Sequence, residues 1–137
     1  MRMRRKKNID RRIDSCGDYL YILLEEERDY RIKIDKQFNL SQLFGNENDV
    51  VLEVGCGKGG FACKLAKRNP DINVIAVEKI DNVVVAGCEQ AQKMGLKNIK
   101  FICCGAEYLE RYIPAHSISR VYLNFSCPYP KSKYANH

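Results

Sequence analysis

Between residues 49 and 123, short apolar runs alternate with stretches whose apolar residues are spaced as in a helix. This alternation restricts the fold more than any other feature of the sequence. Apolar residues that recur every four positions predict a helix after the first run. A second helix is predicted from an N-cap at Asp81 to Met94, and a short third one over 107–112. Strands that alternate with helices at this spacing form a parallel sheet with crossover helices. The predicted strands are 50–54, 73–77, 99–103 and 118–123.

A glycine cluster, EVGCGKGG at residues 53–60, joins the first predicted strand to its helix. Glycines at such a turn let the backbone approach a ligand closely, and the following helix directs N–H donors toward it. Glu78 closes the second predicted strand about 20 residues later, where a carboxylate can accept both hydroxyls of a ribose. The pattern therefore predicts a nucleoside site that includes Glu78, although G-x-G-x-x-G alone is shared by several cofactor classes.

The positive charge of the chain is concentrated in an N-terminal arm. The first twelve residues carry seven Lys and Arg against Asp10, which accounts for the whole net charge of +6. Such an arm attracts phosphate groups through counterion release, so it suits a nucleic acid, but a solvated tail is an equally good interpretation. We predict an arm over 1–12, a segment without a clear pattern over 13–48 and one domain over 49–137.

The N-terminus predicts that the cysteines of the chain lie in a reducing compartment. The N-terminus lacks the apolar stretch of a secretory signal, which predicts a cytoplasmic protein. An odd number of cysteines without a C-x-x-C pair predicts neither a disulfide framework nor a metal cluster. The seven cysteines are Cys16, Cys56, Cys63, Cys88, Cys103, Cys104 and Cys127.

Four segments, in this order, resemble the tRNA (guanine-N(7)-)-methyltransferase family: VLEVGCGKGGF, NPDINVIAVEK, GLKNIKF and VYLNFSCPYPK. The resemblance covers roughly residues 40–134. It implies an α/β, Rossmann-like fold, S-adenosylmethionine as cofactor, tRNA as partner, and methylation of the 7-position nitrogen of guanine. The residues that it places around the methyl donor are Glu53, Gly55, Gly57, Gly59, Glu78, Lys79, Gly105, Ala106 and Glu107.

The loop after the fourth predicted strand is the most specific part of this resemblance. The family normally reads Asn-Phe-Pro-Asp-Pro-Trp-Pro-Lys there, and Asn124, Phe125, Pro128, Pro130 and Lys131 match it. We assign residues 124–130 to a wall between donor and base and include Asn124, with Cys127, among the catalytic candidates. By resemblance, Lys131 lies on the tRNA side.

The chain departs from the family pattern in three places. Ser126 and Cys127 replace Pro-Asp, and Tyr129 replaces the tryptophan, where it can stack on a base or cover the edge of the sheet. Gly105 stands where the family has an acid near the adenine. Glu107, two residues later, is an alternative acid.

Cys127 has two interpretations. The 7-position nitrogen of guanine carries a lone pair and needs no general base, so an enzyme chiefly has to orient it, and Cys127 is then a loop residue without a chemical role. Alternatively, its placement resembles the nucleophile of cytosine C5 methyltransferases, which adds covalently to the ring. A third hypothesis is a methyltransferase-like RNA-binding module without catalysis.

The number of strands predicts an uncovered surface. The sheet of this class of methyltransferase normally has seven strands, and the sequence shows only the first four. The outer side of the fourth strand would then lack a neighbour, so we expect an incomplete domain or a homo-oligomer that covers this side.

Overall fold

The structure is a computed structural model, and it describes residues 8–23 and 37–124. The described elements, in chain order, are α1 (Ile9–Ser15), a 3-10 turn (Gly17–Tyr19), β1 (Leu20–Ile22), α2 (Leu40–Phe44), β2 (Val50–Val54), α3 (Gly60–Arg68), β3 (Asn73–Glu78), α4 (Asp81–Met94), β4 (Ile99–Cys103), a 3-10 helix (Ala106–Arg111) and β5 (Ile118–Leu123).

The strands form one parallel sheet in the order β1-β4-β3-β2-β5. The four predicted strands and their crossover helices are confirmed. The prediction of four strands alone is wrong, because β1, within the segment 13–48, adds a fifth strand beside β4. β1 spans three residues, too few to show the alternation that distinguishes a strand from a helix.

The register of the sheet brings the carboxyl ends of the inner strands to one edge. Glu53 of β2 lies between Ala76 of β3 and Tyr122 of β5, and Glu78 at the end of β3 lies beside Cys103 of β4. The two predicted carboxylates therefore lie on adjacent strands at the same end of the sheet.

Each face of the sheet has its own apolar core. On one face, Phe101 and Val74 pack with residues of α3 and α4 such as Ala62 and Val84, all of them fully buried. On the other face, Tyr112 packs with the aromatic rings of Tyr21 in β1 and of Phe38 before α2. Its ring centroid lies 5.8 Å from that of Tyr21 and 5.7 Å from that of Phe38.

The ends of α4 differ in part from the prediction. Gly95 ends the helix in the left-handed conformation, with φ of 65°, as its sequence position suggests. Asp81 is not the N-cap. Ile80 occupies that position in an extended conformation, and Asp81 is the first residue of the helix, where a negative charge still favours the helix dipole.

The described part of the basic arm is helical. Residues 9–12 belong to α1, and residues 1–7 lie outside the described residues. Arg12 holds Glu89 of α4 through two hydrogen bonds, Nε to Oε2 at 2.9 Å and Nη2 to Oε1 at 2.5 Å. This ion pair ties α1 to the body of the domain.

Among the helices of the described residues, none is both long enough and apolar enough to cross a membrane.

β5 lies at one edge of the sheet, beside β2. Among the described residues, no strand pairs with its outer side, and the side chains of Val121 and Leu123 are 52% and 65% exposed. On the opposite face, the Tyr122 ring meets the exposed ring of Phe61 at 5.1 Å. We use the name β5 flank for the exposed surface of β5 that carries the side chains of Val121 and Leu123. A homo-oligomer that covers this surface stays a prediction.

Candidate functional site at the carboxyl edge of the sheet

The glycine loop between β2 and α3 folds across the end of β3. Gly55, Gly57 and Gly59 have φ angles of 79°, 57° and 80°, in the left-handed region that glycine adopts without strain. The N–H groups of Gly55 and Cys56 both donate to the carbonyl oxygen of Val77, at 2.8 and 2.9 Å. The loop is therefore held against the strand that carries Glu78.

Gly59 is also required by close packing. A Cβ at this position would lie 2.9 Å from Gly87 Cα and 3.2 Å from Phe101 Cε1. Sequence reasoning missed Gly87, which lets α4 approach the loop. A glycine inside a helix costs about 1 kcal/mol relative to alanine, so its presence within α4 was the available signal.

Glu78 joins the glycine loop to α4. Its Oε1 accepts the Gly57 N–H at 3.2 Å, and its Oε2 accepts the Ile80 N–H at 3.1 Å. The side chain is nearly buried, with 8% exposed. A carboxylate has about four acceptor positions, so about two remain that no donor among the described residues fills.

Glu53 is fully buried, and only one of its oxygens is bonded. Oε2 accepts Asn124 Nδ2 at 3.3 Å, whereas Oε1 has no hydrogen-bond partner among the described residues. Burial raises the pKa of Glu53, and the hydrogen bond from Asn124 partly opposes this. A buried polar atom without a partner is costly, so Oε1 is a candidate ligand contact.

Asn124 itself extends the pairing of β5 with β2. Its backbone N–H donates to the carbonyl oxygen of Val54 at 3.0 Å. Sequence reasoning singled out both Asn124 and Glu53 but missed their contact, because it depends on β5 lying beside β2.

The segment after β4 approaches the same edge. Cys103 lies beside Glu78, and Gly105 and Ala106 follow as the chain enters the 3-10 helix. The Glu107 carboxylate fills the space that a Cβ on residue 105 would occupy. An acid therefore stands over Gly105, although it is attached two residues later. Lys79 follows Glu78 and is exposed.

The remaining predicted site residues lie outside the described residues. These are Cys127, Tyr129 and Lys131. The structure thus brings together Glu53, the glycine loop, Glu78, the 105–107 segment and Asn124, a set that we call the carboxyl edge.

Two buried cysteines flank Glu53. Burial raises the pKa of Cys63 to about 11, with a further contribution from the charge of Glu53, and raises the pKa of Cys56 still more. Both are therefore neutral thiols at physiological pH. Among the described residues, no three His, Cys, Asp or Glu side chains are grouped closely enough to hold a metal ion.

Comparison with known proteins identifies the family of the chain. Residues 47–137 match the model of a family described as "Putative methyltransferase". The chain belongs to this methyltransferase family.

Two solved methyltransferases share its fold. An antibiotic-related methyltransferase aligns with a TM-score of 0.54 at 18% identity, covering 74% of this chain and 54% of that one. The 30S ribosomal A1408 methyltransferase from an uncultured bacterium aligns with a TM-score of 0.52 at 19% identity, covering 67% and 48%.

Curated relatives confirm the predicted resemblance to tRNA (guanine-N(7)-)-methyltransferases. The enzyme of that name from Clostridioides difficile (strain 630) is 38% identical over 135 residues, covering 98% of this chain and 59% of the relative. That from Mycoplasma capricolum is 39% identical over 117 residues, covering 81% and 53%. This member of the methyltransferase family thus spans between about half and three-fifths of the length of these relatives.

Proposed function

We propose that the carboxyl edge binds S-adenosylmethionine. The observation that carries this proposal is the arrangement of two buried carboxylates on adjacent strands. Glu78 holds the glycine loop through Gly57 and keeps acceptor positions for a ribose. Glu53 Oε1 has no hydrogen-bond partner among the described residues, and an ammonium group would satisfy it. These residues fit a ligand that carries a nucleoside at one end and an amino acid at the other.

The adenine would lie beyond the end of β4. Gly105 and Ala106 offer backbone there, and the Glu107 carboxylate stands over Gly105, the position at which the family has an acid. This placement supports Glu107 as the substitute for that acid. Lys79 is the remaining residue that we assign to this end of the donor.

The reaction that we propose is transfer of a methyl group to the 7-position nitrogen of guanine in tRNA. The names of the curated relatives support this choice of substrate. S-adenosylmethionine supplies a methyl group on a sulfonium, and the guanine nitrogen brings its own lone pair. The work of the chain is therefore orientation, which does not require a general base. A tRNA substrate also favours the cytoplasm as the place of action.

The substrate side would be built by residues after β5. Asn124 starts this segment at the carboxyl edge, and we assign Tyr129 and Lys131 to the base and a phosphate. The basic residues of the N-terminal arm would add sequence-independent contacts to phosphates.

Analysis of the methylated nucleoside tests this proposal. The 137-residue chain is incubated with labelled donor and bulk tRNA that lacks 7-methylguanosine, and the digested nucleosides are separated. We expect label in 7-methylguanosine. Label in 5-methylcytidine would instead support a cytosine C5 enzyme, for which Cys127 is the candidate nucleophile. Donor binding without transfer to any RNA would support the RNA-binding module.

A further inference from the structure

The carboxyl ends of β2 and β5 meet in one pair of side chains. Asn124 Nδ2 donates to Glu53 Oε2, and the Asn124 backbone N–H donates to Val54 O. The parallel register, which pairs Val54 with Leu123, places Asn124 there. Two strands that are distant in sequence thus fix the orientation of one buried carboxylate.

We propose that Asn124 is a positioning residue for the amino group of the methyl donor, and that donor binding is linked to release of one proton from Glu53. Asn124 holds Oε2, which leaves Oε1 to accept the ammonium group. The inference rests on the proposed function, because it assigns a ligand group to Oε1.

Burial is the physical reason for the proton linkage. Glu53 is fully buried, so its ionised form is disfavoured and its pKa is raised, while the amide of Asn124 favours the ionised form. An ammonium group binds the carboxylate and not the carboxylic acid. Below the pKa of Glu53 in the ligand-free chain, binding therefore transfers the Glu53 proton to solvent, and the ammonium keeps its own protons.

The other titratable groups around Glu53 are few in the described residues. Cys56 of the loop and Cys63 of α3 are neutral thiols because burial raises the pKa of each. Tyr122 lies beside Glu53 on β5, and Glu78 follows on β3 with both oxygens bonded to backbone N–H groups. We assign Glu78 to the nucleoside of the donor. A ligand that has the nucleoside but lacks the amino acid therefore contacts Glu78 without contacting Glu53.

Calorimetry with two ligands separates the two ends. S-adenosylhomocysteine carries the amino acid, whereas 5′-methylthioadenosine carries the same nucleoside and thioether without it. Titrations from pH 5 to 9, in buffers of different ionisation enthalpy, measure affinity and proton release together. We expect S-adenosylhomocysteine affinity to rise about tenfold per pH unit below a midpoint, with up to about one proton released. The affinity of 5′-methylthioadenosine should lack this component.

Asn124→Leu tests the role of the amide, because leucine has a similar size and cannot donate a hydrogen bond. The midpoint for S-adenosylhomocysteine should move up by about one pH unit or more, and the affinity should recover at high pH. Affinity for 5′-methylthioadenosine should not change. Ser119→Ala, which removes a hydrogen bond from the same strand to Val50 O, is the matched control and should leave both profiles unchanged.

The inference would be overturned by the absence of proton release from the wild-type chain. It would also be overturned if Asn124→Leu lost equal affinity for both ligands, or lost the same affinity at every pH. Circular dichroism checks the fold of the variant. If Asn124→Leu does not fold, Glu53→Gln decides, because it should abolish the pH dependence for S-adenosylhomocysteine alone. A wild-type chain that binds neither ligand would overturn the proposed function as well, whereas identical pH profiles for both ligands would overturn this inference only.

Discussion

The carboxyl edge and the β5 flank lie on neighbouring strands but differ in their physical chemistry. At the carboxyl edge, the polar atoms of Glu78 are buried and bonded to backbone N–H groups. At the β5 flank, apolar side chains of Val121 and Leu123 are more than half exposed. The first region is organised by hydrogen bonds to its own backbone, whereas the second presents apolar surface that another polypeptide can bury.

The largest expected effect concerns the packing of the carboxyl edge. Gly59→Ala should lower the free energy of unfolding by about 2–4 kcal/mol, because alanine is strained at φ of 80° and its Cβ would meet Gly87 Cα at 2.9 Å. Urea denaturation measures the change. Gly60→Ala is the matched control, since its Cβ would meet nothing within 4 Å and the residue is helical. Equal effects of the two substitutions would show that the edge is not tightly packed.

The next effect concerns ligand affinity. Glu78→Gln should weaken binding of S-adenosylhomocysteine by about tenfold to a hundredfold, because hydrogen bonds to a charged acceptor contribute about 1.5–3 kcal/mol. Calorimetry at pH 7 measures the affinity. Glu110→Gln, an exposed carboxylate on the 3-10 helix, should bind like the wild type. An unchanged affinity in Glu78→Gln would remove this carboxylate from the site.

A smaller effect concerns the free energy of unfolding, which the buried charge of Glu53 lowers. The pKa of Glu53 is raised in the folded chain, so between the unfolded pKa of about 4.3 and the folded pKa the native state binds more protons. The contribution of Glu53 to stability therefore falls as pH rises through this window. Glu53→Gln should be more stable than wild type by about 1 kcal/mol at pH 8 and no more stable at pH 4.

Urea denaturation at the two pH values tests this prediction. If Glu53→Gln and the wild-type chain differed in stability by the same amount at both pH values, the charge of Glu53 would not destabilise the folded chain.

The smallest effect belongs to the β5 flank. Leu123→Lys should change the free energy of unfolding of a monomer by less than about 0.5 kcal/mol, because the side chain is 65% exposed. Sedimentation velocity tests the predicted homo-oligomer at the same time. If a second copy covers the flank, the wild-type chain should sediment as an oligomer and the variant as a monomer. A wild-type chain that is monomeric at high concentration would contradict that prediction.

The sequence predicted the parts of the fold that depend on local pattern. The strand at residues 50–54 and the helix that ends at Gly95 were recognisable because periodicity and helix-end chemistry act over neighbouring residues. β1 was not recognisable, because three half-buried residues carry no period.

The same distinction holds for the carboxyl edge. Glu78 and the glycine loop follow a spacing along the chain, and this spacing predicted them. The contact of Glu53 with Asn124 and the approach of Gly87 to Gly59 depend on which elements become neighbours in space. No local pattern encodes such neighbours.

The hydrogen bond from the Gly57 N–H to Glu78 bears on the order in which the chain can fold during translation. Both residues belong to one β-α-β unit, so a ribosome that has released residues through α4 has already supplied this part of the carboxyl edge. Asn124 emerges later, with β5. If the carboxyl edge binds S-adenosylmethionine as we propose, the contacts to its ribose can therefore form during translation before the residue that orients its amino-acid contact has been synthesised.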